Sequence, residues 1–276
     1  LTQWSDYLIE VDGGTFENGV LTINRDLKTV KNNTVTLKAS VKSDPSVVKQ
    51  FEIPLLFDGD QYAGFGGYCG RTGAGGYHGG GLKPPGDGEK GNDGGDGADA
   101  EDGGDGQEIQ VYAKVIKSAD LNKDLLYVKV KSLNTDKGGL YIVDPAKAKI
   151  TVSANGGCGG NGGKGGGGGP GGSSQGYGGK GGNGGNGGNG GNGGNGGKII
   201  AHVDPSAAAY TSALIFTNNG GEGGSYGSGG AVGSGGNGNT KSGNQGNYGK
   251  DGSRSGRNGM NGPAPVIETQ NVNIEF

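Results

Sequence analysis

Residues 178–197 read GGKGGNGGNGGNGGNGGNGG, a run in which two of every three positions are glycine. A residue without a Cβ at a fixed three-residue interval suits one backbone in particular. This is the left-handed extended helix with three residues per turn and no internal hydrogen bonds. The same interval recurs along the chain. Gly64, Gly67, Gly70, Gly73, Gly76 and Gly79 share a register, and Gly88, Gly91, Gly94, Gly97, Gly103 and Gly106 share another, with Ala100 standing in once. Further runs cover 156–172, 221–236 and 243–262, the last slipping by one residue between Gly252 and Gly256. The runs come in pairs, which predicts three hairpins over 64–106, 156–197 and 220–262.

Between the hairpins lie stretches of β-branched, aromatic and alternating residues that read as strands. In the first 58 residues these are 7–11, 20–23, 34–39 and 51–53, punctuated by turn signals at Asp12-Gly13-Gly14, Asn18-Gly19, Asn32-Asn33 and Asp44-Pro45. They predict a small antiparallel sheet or half-sandwich. Strands are also expected over 108–116, 125–130, 140–143, 149–152, 198–203, 213–216, 266–269 and 272–276. Val143-Asp144-Pro145 and Val203-Asp204-Pro205 mark an internal duplication, each introducing a strand that runs into glycine. The expected fold class is mainly β plus polyglycine II. An N-terminal β module covers 1–58, hairpins interleaved with β segments 107–154 and 198–219 cover 59–262, and a C-terminal strand covers 263–276.

Composition alone points elsewhere. With 71 Gly in 276 residues and 29% hydrophobic residues, the chain resembles low-complexity sequence. Two other readings of the runs are a flexible linker and a collagen triple helix. A flexible linker needs no strict register, and collagen carries Pro in its triplets, which these runs almost lack. If neighbouring runs accept and donate each other's outward-pointing backbone bonds, the glycine runs form an ordered slab roughly 50–60 Å long. Gly178 to Gly197 then sits in an edge layer, buried on two faces with Asn183, Asn186, Asn189, Asn192 and Asn195 outward. Gly165–Gly169 sits more centrally.

These triplet runs, about half the chain, resemble the polyglycine-II sandwich proteins. That group includes the receptor-binding adhesins at the tips of some phage long tail fibres and the snow-flea type antifreeze protein. The resemblance implies a rigid slab of polyglycine-II helices and, for function, either receptor binding at hairpin tips or ice binding. The strand segments depart from both families, and the tips at Leu82–Pro85, Ser173–Tyr177 and Asn239–Ser242 are short.

A net charge of −3 with scattered basic residues argues against nucleic-acid binding. No phosphate-binding GxxxxGK[ST] occurs, and no apolar stretch reaches the length of a membrane span. A chain that begins at Leu1 suits a processed N-terminus.

Period three also sorts side chains into columns. Tyr62, Phe65, Tyr68, Arg71 and Tyr77 form an aromatic column able to stack on sugar rings, anchor a protein partner or cover an edge. With Leu82, Lys83 and Tyr177 at the tips, they are the candidate binding residues. Asp93, Asp96, Asp99, Asp102 and Asp105 continue an acidic column begun by Asp87 and Lys90. Its members stand ~9 Å apart along one helix, so they bind Ca²⁺ only with oxygens from a neighbour; otherwise they keep a face solvated. Cys69 and Cys158 lie at similar heights if the hairpins point the same way, as a disulfide in an oxidising compartment or as buried thiols. His78 and His202 supply too few ligands for zinc and read as surface residues. Asn32-Asn33-Thr34 matches a glycosylation sequon.

No constellation for catalysis emerges. The expected function is a non-enzymatic extracellular or cell-surface subunit, spacer or adhesin that meets protein partners, or a glycan, in a surface or fibre assembly. Ice binding by the asparagine ladder and receptor binding as a phage tail-fibre tip are the alternatives.

Overall fold

The runs of β-branched and aromatic residues become strands in a computed structural model that describes residues 4–24, 30–81, 85–118 and 121–274. In chain order these are β1 (Tyr7–Asp12), β2 (Gly14–Glu17), β3 (Val20–Ile23), β4 (Thr34–Val41), β5 (Asp44–Pro54) and β6 (Gln61–Gly64). Then come β7 (Ile109–Ser118), β8 (Lys123–Ser132), β9 (Gly138–Val143), β10 (Ile150–Ser153), β11 (Ile199–Val203), β12 (Leu214–Thr217) and β13 (Val266–Thr269). The chain is mainly β.

The N-terminal part is an antiparallel sheet, β1-β4-β5, with a β2-β3 hairpin beside it. Asn18 and Gly19 both have positive φ, 50° and 83°, which is the geometry a two-residue hairpin turn requires. Strand β5 starts at Asp44, so the Asp44-Pro45 pair opens a strand rather than forming a separate turn.

Two further sheets face each other. One is parallel, in the order β12-β10-β6; the other has the order β13-β11-β7-β8-β9, with β13, β11 and β7 parallel. Alternating apolar residues from both sheets meet in one core. Ile109, Val111, Val128, Ile150, Val152 and Ile199 are fully or almost fully buried there. Each such side chain contributes about 1.5–3 kcal/mol by leaving water.

The glycine runs continue these sheets. Strands β6, β10 and β12 lead into the first, third and fifth glycine segments, while the second, fourth and sixth lead into β7, β11 and β13. Odd-numbered segments bond side by side: Gly73 N–H donates to the Asn161 carbonyl and Gly162 N–H to the Ser225 carbonyl, both at 2.8 Å. Even-numbered segments do the same, through Gly97 to Asn186 and Gly184 to Asn247. The two rows are antiparallel to each other and cross-linked, for example by Gly163 N–H to Ala98, Gly185 N–H to Gly166 and Gly230 N–H to Gly185. The third and fourth segments each bond to four others, so the fourth is central in its row, with its asparagines on the outer face.

Several sequence expectations change. Strands β2 and β6 were not expected from the sequence. Residues 272–274 form no strand, although Val272 and Ile274 are buried against Leu125 and Tyr127. The Val272 amide donates to Asp204 Oδ2 at 2.9 Å instead of joining a ladder. Glu275 and Phe276 lie outside the described residues. The two Val-Asp-Pro motifs prove to be equivalent caps. Asp144 accepts from the Ala146 amide, and Asp204 accepts from the Ser206 amide at the start of the 3-10 helix Pro205–Ala213.

Asp204 yields the first prediction. The Val272 amide and the Ser206 hydroxyl and amide, aided by Lys114, hold its carboxyl down at about 2. A carboxylate whose folded value lies below its ordinary one contributes stability above that ordinary value and loses it as pH falls. Asp204→Ala is expected to cost about 2 kcal/mol at neutral pH and to speed hydrogen exchange at Val272. The gap to the parent should close as pH falls from about 4 towards 2. A constant gap across that window in pH-dependent melting would contradict the assignment.

The rows yield a second. A Cβ at Gly185 would land on the Gly95 carbonyl oxygen, whereas one at Gly75 would sit 3.6 Å from the Lys164 oxygen in ordinary contact. Gly185→Ala is expected to destabilise by about 3 kcal/mol or more, and Gly75→Ala by no more than about 0.5 kcal/mol, both read by denaturant unfolding.

Candidate functional site

Along the open edge of the paired rows, the first and second segments present a strip of side chains in register. The Tyr68 ring lies over Gly104 and the Tyr77 ring over Gly95, where a Cβ would collide with ring carbons. Between them Arg71 faces Glu101 at 3.8 Å, both largely exposed. Backbone bonds fix this pairing, since Gly104 N–H donates to the Tyr68 carbonyl and Gly95 N–H to the Tyr77 carbonyl. Tyr68 and Tyr77 remain 72% and 62% exposed, so each ring has one face on the protein and one open. Tyr62 is also exposed, beside Gly64 at the end of β6.

Phe65 does not belong to this strip. It is 5% exposed and packs into the core between the two sheets. It follows β6 directly, so its direction is set by the strand core before the edge begins. Tyr177 is exposed at the tip of the second hairpin, where residues 174 and 177 bridge to Gly238 and Lys241 of the third. Ser174 Oγ donates to the Tyr177 carbonyl at 2.7 Å and closes that turn. Leu82 and Lys83, the other tip candidates, lie outside the described residues.

The acidic column has a structural task. Asp93, Asp96, Asp99, Asp102 and Asp105 each accept, through Oδ1, the backbone N–H of Asn183, Asn186, Asn189, Asn192 and Asn195 in turn, at 2.6–2.7 Å. The asparagines repeat the pattern one segment further on. Their Oδ1 atoms accept from the amides of Asn247, Lys250, Arg254, Arg257 and Met260. Lys90 and the Asn183 amide hold the Asp93 carboxyl below the usual carboxylate range, and the Asn189 amide does the same for Asp99, aided by its side chain and by Arg254.

Towards calcium, the neighbouring column offers N–H donors: Asn189 and Asn192 direct Nδ2 to the Oδ2 atoms of Asp99 and Asp102. A calcium site needs several oxygens around one point. Among the described residues, no group of three or more His, Cys, Asp or Glu side chains is placed to hold a metal ion.

Cys69 and Cys158 are joined in a disulfide between the first and third segments. It lies on the outer face of the odd row, where the first segment has no Asp or Asn to bond the third. His202 is largely buried rather than at the surface. It stands 3.2 Å from Glu268 of β13, with its ring beside Tyr112.

The N-terminal module holds a feature absent from the sequence reading. An apolar groove opens over one face of β1-β4-β5, lined by Trp4, Tyr7, Ile9, Phe16, Leu37 and Phe51. Trp4 and Phe16 meet edge to face at its end. The signal was present in the alternation: Ile9, Leu37 and Phe51 fall on one sheet face, with few residues available to cover it. The equal lengths of the five-membered Asp and Asn columns likewise signalled their pairing.

Compared with protein-family models, curated proteins and solved structures, the chain matches none.

The column pairing predicts that Asp102→Ala costs about 1 kcal/mol and accelerates hydrogen exchange of the Asn192 amide. Asp102→Asn, which keeps an Oδ1 acceptor, should retain most of that protection. Equal exchange in both variants would show that the carboxylate column does not hold the fourth segment.

Proposed function

We propose that the six glycine segments are polyglycine-II helices stacked as a rigid two-layer slab. On this reading the chain is a non-enzymatic binding or spacer subunit of an extracellular or cell-surface assembly. The observation that carries it is the division of labour within the triplets. Glycine positions are consumed by bonds to neighbouring segments, which leaves the third positions displayed at fixed spacings of ~9 Å along each helix. A surface of that kind is made for contact, and its side chains are held apart rather than convergent as catalysis needs.

The exposed edge is the best-formed binding strip. Tyr68 and Tyr77 offer open ring faces flanking a charged Arg71–Glu101 pair, a composition suited to sugar rings or to an aromatic-seeking protein. The Cys69–Cys158 disulfide supports an oxidising compartment. In the asparagine ladder, the Oδ1 atoms already accept protein amides and the flanking columns are charged, which favours the edge over an ice-binding face.

Binding of the purified chain to immobilised glycans and to intact cells tests this reading. Tyr68→Ser/Tyr77→Ser is expected to weaken binding at least ~10-fold, about the effect of losing one good aromatic contact. Exchanging Ser173–Tyr177 and Asn239–Ser242 should leave it intact. The opposite pattern would assign recognition to the tips, as in a tail-fibre adhesin. Thermal hysteresis in the purified protein would select ice binding instead, and rapid exchange of every glycine amide would remove the rigid slab.

A further inference from the structure

The geometry points to pairing of this chain with a second copy of itself, through the face built by the second, fourth and sixth glycine segments. This rests on the slab reading, because only a rigid face holds its columns level. It adds the identity of a partner.

That face is polarised in charge across its width. The second segment contributes Asp93, Asp96, Asp99, Asp102 and Asp105. The fourth contributes the neutral asparagines, and the sixth contributes Lys250, Arg254 and Arg257. The hydrogen bonds set the columns level with one another. Asp96 bonds the Asn186 amide and Asn186 bonds the Lys250 amide; Asp99, Asn189 and Arg254 form the next row, and Asp102, Asn192 and Arg257 the one after. The side chains of the three cations and the three carboxylates are exposed.

A twofold axis parallel to the helices, running over the asparagine column, keeps every height and exchanges the two flanks. Asp96 of one copy then meets Lys250 of the other, Asp99 meets Arg254, and Asp102 meets Arg257, each pair occurring twice. The asparagine side chains meet their own counterparts, amide to amide. An axis running across the helices would instead set carboxylates against carboxylates, so charge selects one orientation. In it the two β bases lie at one end and the two sets of tips at the other. Single exposed ion pairs are weak, but here they are repeated on a fixed lattice and shielded by the opposing face. Three chains ~5 Å apart and ~50 Å long present roughly 750 Å², the contribution per partner of a standard specific interface. At the tip end Lys180 falls on the axis and faces itself, a local repulsion.

Sedimentation velocity on the whole chain tests the pairing. At about 50 mM salt a dimer is expected, with dissociation strengthened at least tenfold at about 500 mM as screening shortens the reach of the pairs. The charge reversal K250E/R254E/R257E leaves the hydrogen bonds between segments in place, because these residues bond the fourth segment through their backbone amides, and should be monomeric at both. D96N/D99N/D102N keeps the Oδ1 acceptors for the fourth segment and should weaken the dimer and flatten its dependence on salt. Lys180→Cys, on the axis, should form an intermolecular disulfide that the charge reversal abolishes. A monomer at all salt concentrations, or a dimer indifferent to K250E/R254E/R257E, would overturn the pairing. If glycine amides remained protected in that monomer, the slab itself would stand.

Discussion

The molecule depends on backbone amides reaching carbonyl oxygens of distant segments at 2.7–3.1 Å, through the space a Cβ would occupy. This condition sets the sequence in threes. Positions that meet a neighbouring segment must be glycine, and the outward position is free in volume but carries an amide of its own. In the fourth segment the outward amides are satisfied by the second segment's aspartates. In the sixth they are satisfied by the fourth segment's asparagines. Asp and Asn therefore serve at the third position as acceptors with a reach of one segment. The first segment has no such residue to offer the third, and there a disulfide ties the two together.

The sheets supply what glycine cannot, a register established by side chains. A segment with no apolar residues has nothing to distinguish one triplet offset from the next, because each slip of three restores most bonds. Strands β6, β10 and β12 enter the odd row already paired in parallel, and β7, β11 and β13 leave the even row in the same way. Packed sheets stand ~10 Å apart because side chains fill the gap, whereas the glycine rows touch backbone to backbone. The core narrows accordingly. Along β10 and beyond, buried residues run Ile150, Val152, Ala154 and then glycine, and Phe65, which follows Gly64 at the level of Ala154, packs into this core from the first segment. The offset of the rows is thus decided in the sheets and inherited by the glycines.

This division explains what could be read from the sequence. The positions of most strands and the repeated Val-Asp-Pro are local patterns, and each falls where the residues place it. Strand β6 was missed because Gln61-Tyr62-Ala63-Gly64 has little strand character of its own; parallel pairing with β10 makes it a strand. Phe65 shares the period of Tyr68 and Tyr77, so period alone put it on the edge, and only the junction with the core turns it inward. Residues 272–274 looked like a strand and are held instead by distant side chains: Asp204 accepts the Val272 amide, Lys114 donates to the Val272 carbonyl, and Val272 and Ile274 pack on Leu125 and Tyr127. The acidic column looked like a ligand set or a solvated face because its partners stand 90 residues away. In each case the deciding contact is non-local, and columns of equal length were the only trace it left in the sequence.

The irregularity in the sixth segment shows which of these features is defended. Between Gly252 and Gly256 the chain takes four residues where three would keep the register. The extra residue is absorbed at a single level. Asn189 Oδ1 accepts both the Ser253 hydroxyl and the Arg254 amide, and the partner offset steps from 64 to 65 residues there and stays at 65 to the end of the run. On either side the glycines meet the same neighbours in the same way: Gly249 bonds Gly230, Gly252 bonds Gly227 and Gly256 bonds Gly224. An insertion that shifted the whole run would have set Cβ-bearing residues against backbone. Here it is confined to the outer face, where there is room for a side chain, and it leaves Arg254 and Arg257 level with Asp99 and Asp102 across the asparagine column. The bonding condition at the glycines thus carries through to the outer face, where it keeps the charged columns in step.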